Sequence, residues 1–252
     1  MLLEMEDASV FKGVVDAISN LVEEGVFIFD ENGMRFRALD PSNIALVSVS
    51  VPSSAFSSYE VNGQERVGVS IANLNSLLAR IKKGERLVIG VEDNTFSVSL
   101  RANKRSRTFK LPVLDIVEND RGEPNLQFNA SVKISAEVLK QIFKDASSLS
   151  MFITIAIGED ELLLSAKGDK ANMVARFDLS SPDILSFDVK GFAKATFNLE
   201  YLEDMVKACP NSEYIELNLG MDEQRGPLPI KLFYNIGPAH ITYYLAPRVE
   251  EE

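Results

Sequence analysis

Apolar residues along the chain switch between two spacings, and they do so twice in the same order. Val10, Phe11, Val14 and Val15 follow the i, i+1, i+4, i+5 spacing of one helix face. From residue 27 the spacing drops to two, through Phe27 and Phe29, then Met34, Phe36 and Ala38, then Val49 and Val51, as in strands with one buried face. Val69 and Ile71 continue that alternation, Leu74, Leu77 and Leu78 restore helical spacing, and Leu87, Ile89 and Val91 read as a further strand. The order predicted is helix, strands, helix, strands.

A constant shift of 128 residues lays this pattern over the second half. The first helical stripe falls on Val138, Leu139, Ile142 and Phe143, and the following strands on Ile155 and Ile157, Leu162, Leu164 and Ala166, and Phe177 and Leu179. Phe197 and Leu199, then Leu202, Met205 and Val206, then Ile215, Leu217 and Leu219 complete the match. Apolar residues make up 46% of the chain, so agreement in one segment means little, but one offset held through helix, hairpin, helix and strand indicates an internal duplication.

Turn signals separate the segments. Asn32-Gly33 predicts a two-residue hairpin with both residues at positive φ, and further breaks fall at Asp40-Pro41, Asn62-Gly63, Lys83-Gly84 and Pro227. Residues 113–129, with Glu118, Asn119, Asp120, Arg121, Gly122 and Pro124, have little periodicity and read as a linker. The expectation is an α+β chain with mostly antiparallel sheets, its two similar domains at residues 1–112 and 130–252 joined by a connecting loop at 113–129.

Several function classes drop out. Apolar runs such as Gly25 to Phe29 are too short to cross a membrane, and Met1-Leu2-Leu3-Glu4 lacks the basic start of a secretory signal, so an intracellular protein is expected. The single cysteine, Cys209, has no partner for a disulfide or a zinc cluster and reads as a small buried residue at a helix end. No phosphate-binding loop, zinc pattern, nucleophile elbow or dinucleotide fingerprint is present. His240 lies among apolar and aromatic neighbours, Asp40 and Asp169 would pair only if the halves met, and Asp40-Pro41-Ser42-Asn43 reads as a turn. No enzyme and no cofactor are expected.

A net charge of −11 argues against a protein that grips nucleic acid with its whole surface. A local basic face remains open, because screening over about 8 Å at physiological salt isolates one surface from another. Opposite the apolar stripes lie Lys12 on the first helix, Arg80, Lys82 and Lys83 on or beyond the second, Lys140 and Lys144 on the third and Lys207 on the fourth. Asp16, Glu137, Asp145, Glu203 and Asp204 share these helices, so two readings stand: solvated polar faces, or a surface that touches phosphates without reading sequence. Helices at equivalent places in repeated domains can all face one side of a ring built from several subunits.

Two segments bring in a resemblance. Gly33-Met34-Arg35-Phe36-Arg37-Ala38-Leu39-Asp40-Pro41-Ser42-Asn43-Ile44-Ala45-Leu46 resembles the signature segment of the proliferating cell nuclear antigen family. Tyr243-Tyr244-Leu245-Ala246-Pro247-Arg248, followed by acidic residues, resembles its C-terminal ending, and similarity of pattern runs over essentially the whole chain. The resemblance implies a non-enzymatic DNA sliding clamp: a trimeric, pseudo-sixfold ring with outer antiparallel sheets and two inner helices per domain, encircling double-stranded DNA without sequence preference. It implies a processivity factor assembled from copies of itself or related subunits. DNA polymerase, clamp loader, flap nuclease and DNA ligase would dock on it through short peptide motifs.

The family's peptide pocket, under the interdomain linker, falls here on Leu39, Asn43, Ile44, Leu46, Pro229, Tyr244, Ala246 and Pro247, with Leu126 and Phe128 from the linker. Ring closure in the family pairs edge strands of adjacent subunits, here Ser106 to Val113 with Ala171 to Asp178. That places Arg107, Phe109, Lys110, Met173, Ala175 and Phe177 at the interface, with Glu137 and Asp145 as acids for Arg107 and Lys110. Where many relatives carry an apolar residue before the linker proline, Arg121-Gly122-Glu123 precede Pro124. This departure leaves open a specialised subunit of a heterotrimeric or checkpoint-type clamp that does not close a ring by itself. The tail and compact loops look more archaeal than eukaryotic, which implies cytoplasm and nucleoid rather than nucleus.

Overall fold

The structure, a computed structural model, describes residues 1–117, 122–224 and 226–248. The first half runs β1 (Leu2–Met5), α1 (Ala8–Ser19), β2 (Glu24–Asp30), β3 (Gly33–Leu39), β4 (Ala45–Pro52), β5 (Ser58–Glu60), β6 (Glu65–Ser70), α2 (Ile71–Leu78), β7 (Arg86–Glu92), β8 (Thr95–Ala102) and β9 (Arg105–Pro112). The second runs β10 (Ala130–Ser135), α3 (Ala136–Ser147), β11 (Phe152–Ile157), β12 (Glu161–Lys167), β13 (Asn172–Asp178), β14 (Ile184–Val189), β15 (Ala193–Asn198), α4 (Leu199–Lys207) and β16 (Tyr214–Leu219). It closes with the short β17 (Met221–Asp222) and β18 (Gly226–Pro227), then β19 (Ile230–Ile236) and β20 (Ala239–Leu245). Two compact units result: residues 1–41, 47–122 and 235–241, and residues 42–46, 123–234 and 242–252.

The duplication seen in the sequence is a duplication of topology. In the first half the strands lie in the orders β5–β1–β7–β8–β9 and β4–β3–β2–β6; in the second they lie in the orders β14–β10–β16–β19–β20 and β13–β12–β11–β15. Residue pairs correspond across the repeat: Phe27 faces Phe36 and Val67, and 128 residues on Ile155 faces Leu164 and Ala195. The two helices that open each half also match, α1 and α3 having their buried positions in register at Phe11, Val14 and Val15 and at Leu139, Ile142 and Phe143.

Local chemistry fixes where the helices begin. The Asp7 side chain accepts from the Ser9 N–H at the start of α1, Ser70 accepts from Asn73 at the start of α2, and Asn198 accepts from Glu200 and Tyr201 at the start of α4. In the first unit, α1 and α2 present apolar stripes to a core in which the Phe27 ring lies 6.1 Å from Phe11 and 5.0 Å from Phe36. In the second, Phe143, Phe197, Tyr234 and Tyr243 are fully buried, and the Tyr234 hydroxyl donates to the Met205 carbonyl at 3.0 Å.

The hairpin expected at Asn32-Gly33 is displaced by one residue. Asp30 pairs with Gly33, so Glu31 and Asn32 form the loop, and the Asp30 carboxylate accepts the Asn32 N–H at 2.9 Å. Gly33 is needed for a different reason: at φ +139 a Cβ would sit 2.1 Å from the Val51 carbonyl oxygen. The two-residue turn with both residues at positive φ lies instead between β7 and β8, at Asp93 (φ 44) and Asn94 (φ 60).

Candidate nucleic-acid and partner interfaces

The basic residues on the helices differ in how firmly they are held. On α1, Lys12 is half-buried and paired with Asp16. On α3, Lys140 is half-buried, and its ammonium donates to the Cys209 carbonyl and, at 2.9 Å, to Asn211 Oδ1, tying α3 to the segment that ends α4. Burial lowers the Lys140 pKa. Lys144 and Lys207 are exposed, but α4 also carries Glu200, Glu203 and Asp204. A cluster of exposed cations, Arg80, Lys82 and Lys83, lies just past α2, where Gly84 turns the chain at φ +81.

That cluster borders a groove of about 260 Å³ lined by Lys82, Lys83, Glu85, Leu100, Ala102, Arg105 and Arg107. Glu85, which the sequence did not single out, is buried at its floor. Its carboxylate accepts from the Lys82 N–H at 2.9 Å and from Arg107 Nη2 at 2.7 and 2.8 Å. The Lys82 amide, followed by the Arg107 guanidinium, holds the Glu85 carboxyl below the usual glutamate range. Arg107, expected to meet an acid on a neighbouring subunit, thus has an acid in its own chain, while Glu137 and Asp145 lie exposed on α3.

The two segments expected at a subunit interface both stand at sheet ends, β9 closing one order and β13 opening another. Each alternates in the same sense. Arg107, Phe109 and Leu111 are half-buried while Ser106, Thr108 and Lys110 are exposed; Met173, Ala175 and Phe177 are half-buried while Val174, Arg176 and Asp178 are exposed. Phenylalanines left half-buried at a sheet end offer apolar surface beside unpaired backbone groups.

Of the expected peptide pocket, Leu39 belongs to the first compact unit, half-buried at the end of β3. The remaining residues belong to the second. Asn43 turns the chain at φ +58, Ile44 is 39% exposed, and the Ile44 carbonyl accepts the Ala246 N–H at 2.9 Å. Leu46 is buried and so offers little surface to a ligand. Leu126, Phe128, Pro229, Ala246 and Pro247 are half-buried. Tyr244 is buried, with its hydroxyl 3.4 Å from Glu123 Oε2 and the Lys231 ammonium 6.0 Å from its ring centre. Arg121, in the linker departure, lies outside the described residues.

The sequence also gave no role to Arg248 and Phe152, which meet at 4.2 Å from guanidinium carbon to ring centre. Catalytic chemistry finds little to work with. Cys209 is buried, and burial pushes its thiol up to about 12. His240 is exposed on β20, its Nδ1 2.7 Å from Asn235 Oδ1. Among the described residues no group of three or more His, Cys, Asp or Glu side chains is placed to hold a metal.

A duplicated α+β fold, with a helix pair and an edge strand in each half, defines the class as that of the sliding clamps. The chain belongs to the proliferating cell nuclear antigen family, whose N-terminal domain matches residues 1–120 and C-terminal domain residues 122–249. It is 34% identical to a DNA polymerase sliding clamp of the archaeon Pyrococcus horikoshii, over 98% of this chain and 97% of that one. In fold it is similar to a complex of PCNA2 with PCNA3 from Sulfolobus tokodaii (TM-score 0.88, 25% identity, 99% of this chain and 100% of that one). It is equally similar in fold to A. fulgidus PCNA bound to the C-terminal region of FEN-1 (TM-score 0.88, 24% identity, 100% and 99%). The family is non-enzymatic.

Proposed function

We propose that this chain is one subunit of a trimeric ring that encircles duplex DNA. The ring acts as processivity factor and docking platform for a replicative DNA polymerase, and for a clamp loader, flap nuclease and DNA ligase that present short peptide motifs. It works inside the cell, with the chromosome. The carrying observation is the repeated topology, in which each half pairs two helices and the chain offers edge strands β9 and β13. Edge strands of this kind supply a closing contact at each subunit junction. Arg80, Lys82, Lys83, Lys144 and Lys207 supply exposed cations for phosphates, with Lys12 and Lys140 more firmly held. We take residues 1–112 and 130–252 as the two clamp domains and 113–129 as the connecting loop.

Solution mass by light scattering, with polymerase stimulation on primed circular DNA, tests the reading. A particle of three chain masses that lengthens synthesis supports it; a monomer that never lengthens synthesis even with related subunits overturns it. The Arg121-Gly122-Glu123 departure favours a second reading, a specialised subunit that closes a ring only with related chains. That reading expects a monomer or dimer until those chains are added.

A further inference from the structure

Residues 246–248, just after β20, form a strap fastened at both ends. The Ala246 N–H donates to the Ile44 carbonyl at 2.9 Å, and the Arg248 N–H donates to the Thr196 carbonyl on β15 at 2.7 Å. Between them Pro247 has no N–H and a ring-restricted φ, so the strap has few ways to bend. The Arg248 guanidinium then lies over Phe152 on β11, 4.2 Å from the ring centre. Arg248 itself is exposed, and it and Phe152 border an open surface groove of about 480 Å³ together with Thr154, Ser165, Lys167 and Thr196. The guanidinium and the ring thus meet at the border of an open groove.

We propose that Arg248 and Phe152 are positioning residues for the partner-peptide site. They fix Ala246 and Pro247, which stand on its rim, without themselves touching the peptide. The inference rests on the reading that this face takes partner peptides. A rim already ordered before binding loses less conformational freedom when the peptide arrives, so removing the clamp weakens binding through the cost of ordering the strap. An exposed cation–π contact of this kind corresponds to a loss of about two- to fivefold in affinity.

The test uses the full chain and a synthetic peptide carrying a glutamine followed by apolar and aromatic anchors, with binding read by fluorescence anisotropy. Arg248→Ala and Phe152→Leu are each expected to weaken binding by about two- to fivefold, with the double variant no weaker than either. Phe152→Tyr, which keeps the ring, should restore wild-type affinity. Amide exchange at Ala246 and Arg248 should quicken in Phe152→Leu while thermal midpoint and solution mass stay at wild-type values. Because Arg248 is exposed, its variant remains informative if a Phe152 variant folds poorly. Wild-type affinity in Arg248→Ala, or losses that add fully in the double variant, overturns the proposal while leaving the peptide site intact. A wild-type chain that binds no such peptide overturns the site reading and the proposal with it.

Discussion

At the scale of single residues, the chain uses charge for construction as much as for contact. Glu85 is held ionised below its ordinary range by the Lys82 amide and Arg107. A carboxyl depressed in the folded state stabilises it fully above the unfolded glutamate pKa and loses that contribution as pH falls through the folded value. Replacing Glu85 by Gln should therefore cost about 1–3 kcal/mol at pH 7 and flatten the acid loss. Urea unfolding at pH 7 and pH 3 measures both; equal acid sensitivity in variant and wild type would show that Glu85 does not carry it. Lys140 is a second case. Sequence spacing placed it with Lys144 on one helix face, but the structure bonds its ammonium to Cys209 and Asn211 and leaves Lys144 exposed. Lys140→Met should lower unfolding stability by about 1 kcal/mol and Lys144→Met by less than about half of that, since the first loses hydrogen bonds to Cys209 and Asn211 while Lys144, in the last turn of α3, loses only an exposed charge near the helix end. What periodicity cannot convey is the acceptor a long side chain finds beyond its own helix.

At the scale of elements, most of the fold was legible because burial imposes its period on both copies. The stripes at Phe11, Val14, Val15 and at Leu139, Ile142, Phe143 are buried as spacing predicts. Strands β1 and β10 went unread because the frame slips there by one. Leu3 faces Ile89 and Val132 faces Leu217, so the matching residues stand 129 apart, and a fixed offset sets Leu3 against Ser131. The last two strands escaped for a larger reason. The Asp93-Asn94 turn has its counterpart in the longer excursion through β17 and β18, after which the turn at Asn103 answers to Gly237, 134 residues on. The hairpin at Glu31-Asn32 was misplaced because Gly33 signals a turn by composition while serving close packing against Val51. For the expected peptide pocket, the resemblance supplied the residues, and hydropathy would have assigned Leu46 and Tyr244 to the core, where both are buried.

For the whole molecule, assembly and DNA contact should be separable. Phe177→Asp places a charge on the half-buried face of β13, where a neighbouring β9 is expected, and should shift light-scattering mass from three chains toward one with far-ultraviolet circular dichroism unchanged. A trimer that survives would move the contact elsewhere. Reversing Arg80, Lys82 and Lys83 to Glu should leave the mass intact but shorten polymerase products on primed circular DNA, increasingly as salt is lowered; full-length products would assign those cations to solvent. Cys209 makes such experiments easier to follow. With its thiol buried and pushed up to about 12, the native chain presents almost no thiolate to maleimide dyes at neutral pH. Cysteines introduced at exposed Ser106 and Asp178 would then be the reactive positions, so a donor and an acceptor on the two sides of a β9–β13 junction could report its opening and resealing in real time.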